Sequence, residues 1–323
     1  MRRAVAAAIV TGALGLTAAA AVNPRPRAAA TAAPPPAQSG PPFAVGEEQL
    51  TFVDRTRTVA FPGRAPQARA LTTIIRYPAQ GPPGRLDVHD AAPAHTAAPF
   101  PLVVFGHGFA VTPATYYRLL RAWAQAGYVV AAPVFPLENA HAPGGPDESD
   151  LVNQPRDMSV VISGMFAASA ARGGRLFGLL DRNRIAVSGQ SDGGETALAA
   201  AYDRFYRDPR VDAAVILSGA QIPGAGALVP GPPLLAVQGT ADTINNPRNT
   251  YAFFAAAHRP KYLLRLLGAP HLPPYTGQEP QLTIVERVSI AFLNRYLKGA
   301  RNGLARIEAA ARRPGVAVLQ ARP

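Results

Sequence analysis

Gly189-Gln190-Ser191-Asp192-Gly193-Gly194 is the stretch that decides how this chain is read. It fits G-x-S-x-G, a sharp turn between a strand and a helix that lifts a serine hydroxyl clear of the backbone. The flanks supply the context this turn requires. Arg184-Ile185-Ala186-Val187-Ser188 is a short apolar run of strand type, and Glu195 to Tyr202 is alanine-rich and helical. A turn this tight places its serine in a strained conformation, and side chains at positions 189 and 193 would collide with it, which accounts for both glycines.

Working outward, short apolar strands alternate with helices. Strands are expected at 49–53, 71–77, 101–105, 128–132, 213–217, 234–237 and 262–267. Helices are expected at 114–126, 150–170, 249–257 and 281–297, with one more helix and a short extended end after 301. This alternation predicts an α/β fold: a mostly parallel central sheet flanked by helices, with ligands bound at the carboxyl ends of the strands. The glycine- and proline-rich segment 135–150 follows a strand at that same edge, where it would form part of a substrate rim, a short lid or an ordinary surface loop.

A serine hydroxyl needs a base to take its proton and an acid to orient that base. In serine sites built on this turn, the acid and then the histidine follow the nucleophile along the chain. Only His258 and His271 lie after Ser191. His258 falls at the end of a helix, whereas His271 sits in a glycine- and proline-shaped loop after the last strong strand, so His271 is the expected base. Asp242, in the loop after strand 234–237, is the expected acid. Asp203, Asp208 and Asp212 precede that strand and read as surface or capping carboxylates. The oxyanion donors are expected to be the backbone N–H of Asp192 and that of Phe109, with Gly108 as the alternative, in the loop Gly106-His107-Gly108-Phe109. His107 precedes the serine and is read as shaping that loop. Phe109, Phe135 and Leu272 are the expected substrate-lining residues.

These residues carry a resemblance. Gly106 to Phe109, Gly189 to Gly194, Gly239-Thr240-Ala241-Asp242 and Pro270-His271 stand in the order found in serine hydrolases of the α/β-hydrolase superfamily. More narrowly, the chain resembles secreted bacterial esterases of the dienelactone-hydrolase-like, platelet-activating-factor-acetylhydrolase-like and cutinase-like polyester hydrolase groups. The resemblance spans most of residues 43–300 and implies a carboxylic ester hydrolase working through an acyl-enzyme on Ser191. It also implies that an aromatic residue at 109 donates its N–H and lines the cleft. The chain departs from the cutinase-like group in having Asp192 where that group usually has methionine, and in lacking the usual disulfides. A lipid- or polyester-cleaving enzyme, a secreted acyltransferase with the same triad and a non-catalytic binding protein on this scaffold are the other readings.

Bulk properties bound the rest. The 323 residues are 48% hydrophobic and 16% charged, so a large core is expected. There is no cysteine, which excludes disulfides, a thiol nucleophile and thiolate metal sites. The six histidines show no paired ligand spacing, and neither a metal nor another cofactor is expected. The formal charge of +12 comes from scattered arginines without aromatic interleaving, so no nucleic-acid partner is expected; the partner that the resemblance implies is a small-molecule, lipid or polymeric ester. Arg2 and Arg3, an apolar run from Ala4 to about Leu16 and the small residues 18–21 read as a signal peptide over 1–21. A proline- and alanine-rich linker follows over 22–42, and a single catalytic domain over 43–323. Secretion by a bacterium, to the medium or the cell envelope and without a stable membrane anchor, is the expected location.

Overall fold

The computed structural model describes residues 40–323. The expected signal peptide and all but the last three residues of the expected linker lie outside the described residues.

One ten-stranded sheet runs through the protein. In chain order its strands are β1 (Ala44–Val59), β2 (Gln67–Ala79), β3 (Val88–His89), β4 (Phe100–Gly106), β5 (Val129–Pro133), β6 (Leu180–Gln190), β7 (Ala213–Leu217), β8 (Leu234–Gly239), β9 (Lys261–Leu266) and β10 (Ala317–Arg322). Across the sheet the order is β10-β9-β8-β7-β6-β4-β5-β2-β1-β3. The six strands from β9 to β5 are mutually parallel, and β10, β2 and β1 pair antiparallel at the flanks. Strands β4, β5, β7 and β8 are buried at every residue, because helices cover both faces. The β1–β2 hairpin is longer than its apolar runs suggested. Beyond the first residues of β1, polar side chains face solvent on alternate positions while the backbone pairing continues.

The helices are α1 (Tyr117–Gln125), α2 (Gln154–Ala170), α3 (Asp192–Tyr202), α4 (Pro247–Ala256), α5 (Pro273–Thr276), α6 (Gln281–Leu297) and α7 (Gly303–Ala311). Short 3₁₀ segments at Pro113–Tyr116 and Glu148–Asn153 lead into α1 and α2. Helix α4 starts where sequence rules place a start: Asn246 accepts a hydrogen bond from the Arg248 N–H, and Pro247 occupies the first turn. Alternation along β4 splits the core in two. Leu102 and Val104 pack with Met158 of α2, Ala197 of α3 and Phe253 of α4, while Val103 and Phe105 pack with Trp123 of α1, Phe292 of α6 and Ile307 of α7.

Strand β4 lies between β5 and β6, so the chain leaves β4 to one side and returns on the other. That switch point opens a crevice at the carboxyl ends of β4 and β6, where the loop 106–109 and Ser191 meet. Segment 135–150 forms one wall of this region. Its Glu138 carbonyl accepts from the Ala110 N–H at 2.9 Å, and the Val111 carbonyl accepts from the Ala140 N–H. Its far end is pinned by a buried ion-pair group in which the Arg69 guanidinium bridges Asp150 and Asp157, each at 2.6 Å. Within it only residues 140–141 and 143–149 are exposed.

Candidate active site

Ser191 caps α3 in the left-handed region, with φ 57° and ψ −125°. For a side chain larger than glycine this conformation costs about 1–3 kcal/mol and persists only where packing enforces it. Here the enforcement is the close stacking of β4, β6 and the first turn of α3. A Cβ at Gly189 would overlap the Gly193 carbonyl, and one at Gly193 would overlap the Gly106 carbonyl. Glycine is therefore required at both positions by backbone contact. The Ser191 hydroxyl lies 3.3 Å from Asp192 Oδ1, its hydrogen-bond acceptor.

Asp242 and His271 come together at the carboxyl ends of β8 and β9. His271 Nδ1 donates to Asp242 Oδ2 at 2.8 Å. The carboxylate is fully held: Oδ1 accepts from the N–H groups of Ile244 and Asn245, and Oδ2 also accepts from Gln238 Nε2. Burial pushes the Asp242 carboxyl up, but the bonds from His271 and the Asn245 N–H outweigh it and hold it below the ordinary carboxylate value. With Nδ1 donating, the His271 proton sits on that nitrogen and Nε2 carries the lone pair. That lone pair makes no hydrogen bond with Ser191 Oγ among the described residues. It accepts from Gln190 Nε2 at 3.2 Å. Asp242 and His271 are thus paired, and no hydrogen bond joins Ser191 to His271 among the described residues.

The loop after β4 resolves which N–H groups are open to an oxyanion. The Gly108 N–H is occupied by the Tyr116 hydroxyl at 3.2 Å, and the Ala110 N–H by the Glu138 carbonyl. Phe109 N and Asp192 N have no hydrogen-bond acceptor among the described residues. His107 is completely buried. It donates from Nδ1 to the Gly108 carbonyl at 2.8 Å and accepts at Nε2 from the Phe135 N–H at 3.0 Å. Burial pulls its pKa down to about 4, so the ring is neutral and structural.

One expected substrate contact is corrected. Phe135 has no exposed surface and stacks on His107 with ring centroids 4.9 Å apart. A ring between the β5 end and His107 serves the core; it offers nothing to a ligand. Phe109 is 41% exposed, and Leu272 is half-buried against the core. His258 is exposed, Asp203 caps the turn after α3, Asp208 pairs with Arg210, and Asp212 accepts from the Ile185 N–H.

Behind Ser191 lies a buried carboxyl pair that the sequence did not announce. Glu138, fully buried, accepts at Oε2 from Gln154 Nε2, whose own Oε1 is held by Thr196. Burial first, and then Asp192, push the Glu138 carboxyl up to about 10, so it carries a proton at neutral pH. A cleft of about 460 Å³ opens beside the first turn of α3, lined in part by Leu151, Val152, Glu195, Ala220, Ile222 and Asn249.

Residues 75–218 match the family model described as chlorophyllase. That stretch runs from β2 to the end of β7 and contains the 106–109 loop and Ser191, while Asp242 and His271 lie beyond it. Comparison with curated proteins gives no match. Among solved structures, a ferulic acid esterase from Streptomyces cinnamoneus is similar with a TM-score of 0.62, covering 87% of this chain and 97% of that one at 21% identity. The chain has the fold of the α/β-hydrolases. The match to the chlorophyllase model over residues 75–218 and the fold together support a carboxylic ester hydrolase.

Proposed function

We propose that the protein is an exported serine esterase that cleaves carboxylic esters through an acyl-enzyme. Ser191 Oγ attacks the ester carbonyl, and its proton passes to His271 Nε2. Asp242 stabilises the imidazolium that results. The N–H groups of Asp192 and Phe109 hold the oxyanion, His271 returns the proton to the leaving alcohol, and water releases the acid. The observation that carries this reading is the 2.8 Å Asp242–His271 bond at the same sheet edge as a serine in a left-handed elbow. A bulky apolar ester, lipid or polymer is the favoured substrate class, because Phe109 in the oxyanion loop and Ile244 in the Asp242 loop expose 41% and 75% of their surfaces. Export rests on the N-terminal reading.

The test is turnover of p-nitrophenyl esters from acetyl to long acyl chains, and of methyl ferulate because a structural neighbour is a ferulic acid esterase. Ser191→Ala is expected to lower kcat/KM by about 10⁴-fold or more with the fold intact. Undiminished turnover in the pure variant would overturn the assignment, and a short-chain optimum would overturn the bulky-ester class. Intact-mass analysis of the exported protein is expected to show loss of residues 1–21.

A further inference from the structure

The geometry points to Gln190 as a positioning residue that caps the base in the free enzyme, with Tyr116 fixing the direction of its amide. This rests on the reading of His271 as the base. Proton positions around Gln190 have one consistent assignment. The Gly108 N–H donates to the Tyr116 hydroxyl oxygen at 3.2 Å, which leaves the hydroxyl hydrogen for Gln190 Oε1 at 2.7 Å. The Gln190 Oε1 end therefore faces Tyr116, and the NH₂ end faces His271. Its two hydrogens go to His271 Nε2 and to the His271 carbonyl, each at 3.2 Å. Since Nδ1 donates to Asp242, Nε2 is the acceptor. The lone pair that has to take the Ser191 proton is therefore occupied by an amide hydrogen, and the serine hydroxyl turns to Asp192 instead.

Burial makes this arrangement persistent. Gln190 is 1% exposed and Tyr116 fully buried, so water cannot replace either partner. The two bonds from the amide have different fates in the reaction. The one to the backbone carbonyl can remain and hold the 268–272 loop. The one to Nε2 has to break, because a protonated Nε2 is a donor and cannot accept. Gln190 thus favours the neutral, uncommitted ring, and substrate engagement has to bring Nε2 from the amide to Ser191 Oγ.

The experiment uses Gln190→Met, which keeps the length and removes the donor, and Tyr116→Phe, which keeps the ring and frees the amide to turn. The rate of Ser191 labelling by a small fluorophosphonate is compared with the wild-type rate, with Ser191→Ala as the blank. Loss of one ordinary hydrogen bond to the reacting nitrogen is expected to accelerate labelling by about fivefold in Gln190→Met, and less in Tyr116→Phe. In protein labelled with ¹⁵N-histidine, the Nε2 resonance, assigned by its absence in His271→Gln, is expected to move in both variants toward the value of a free acceptor. A packing role alone would not move that resonance. Slower or unchanged labelling with an unmoved resonance overturns the proposal. Should Gln190→Met fail to fold, Tyr116→Phe decides alone by the same two readouts. Labelling that does not depend on Ser191 and His271 defeats the reading of the triad itself, a result distinct from failure of the cap.

Discussion

Two loops at the carboxyl edge of the sheet each carry a histidine, and they have opposite fates. His107, after β4, has no exposed surface and uses both ring nitrogens on backbone groups, one each from Gly108 and Phe135. His271, after β9, keeps some exposure, places one nitrogen on Asp242 and leaves the other on a side chain that can let go. An imidazole bonded on both sides to backbone in a dry interior is a fixed strut. An imidazole with a carboxylate behind it and a movable partner in front can change protonation state. Burial and the second partner decide the role, since the residue type is the same.

The sharpest way to break this contrast is at the carboxylate. Asp242→Asn would retain the shape but offer an amide to His271 Nδ1, favouring the other tautomer. We expect kcat to fall by about 10⁴-fold with little change in melting temperature, measured by steady-state kinetics and calorimetry. A loss below tenfold would mean that Asp242 only packs.

His107 tests the other side through stability. Its folded pKa, about 4, lies below the unfolded histidine value of about 6.5. The unfolded chain therefore binds more protons in that window. The stability contribution is complete above pH 6.5 and is lost as pH falls toward 4, by roughly 3 kcal/mol. His107→Ala should cost about 2–4 kcal/mol at pH 7 through two lost hydrogen bonds and a cavity against Phe135. The gap between wild type and variant, read from urea unfolding, should narrow on acidification; a gap independent of pH would show that the ring is not held neutral.

A stability test of the opposite sign concerns the carboxyl pair behind Ser191. Glu138 has its pKa raised to about 10, above the ordinary carboxylate value of 4.5, so its stabilising contribution is present below about pH 4.5 and is lost as pH rises toward 10. Glu138→Gln removes that titration. It keeps an acceptor for Gln154 and sets an amide N–H where the protonated Glu138 carboxyl donates to Asp192. Read from urea unfolding, the variant should gain stability relative to wild type steadily as pH rises from 4 to 8, with the difference vanishing near pH 4. Equal stability at both pH values would mean that Glu138 carries no shifted proton.

Much of the fold was legible because local rules and packing agree in it. The strand 213–217 and the helix 281–297 fall where the apolar pattern placed them. The Asp242–His271 pairing was legible for a similar reason: strand ends in a parallel sheet converge on one edge, so chain order alone limits the partners. Phe135 was misread because an aromatic residue after a strand looks the same in sequence whether it faces a cleft or a buried imidazole. The choice of Phe109 over Gly108 as the open N–H was likewise undecided until Tyr116 was seen to occupy Gly108.

By itself, then, the sequence determined the alternation of strands and helices and the strained glycine-flanked elbow at Ser191, because each follows from local sterics or hydrophobic period. Tertiary structure alone decided the Gln190–His271 contact, the Tyr116 hydroxyl between two loops, the Gln238 support of Asp242 and the shared burial of Glu138 and Asp192. Most of these partners lie tens of residues apart along the chain. Their meeting depends on how helices of set length pack across a twisted sheet, and no spacing in the sequence encodes that.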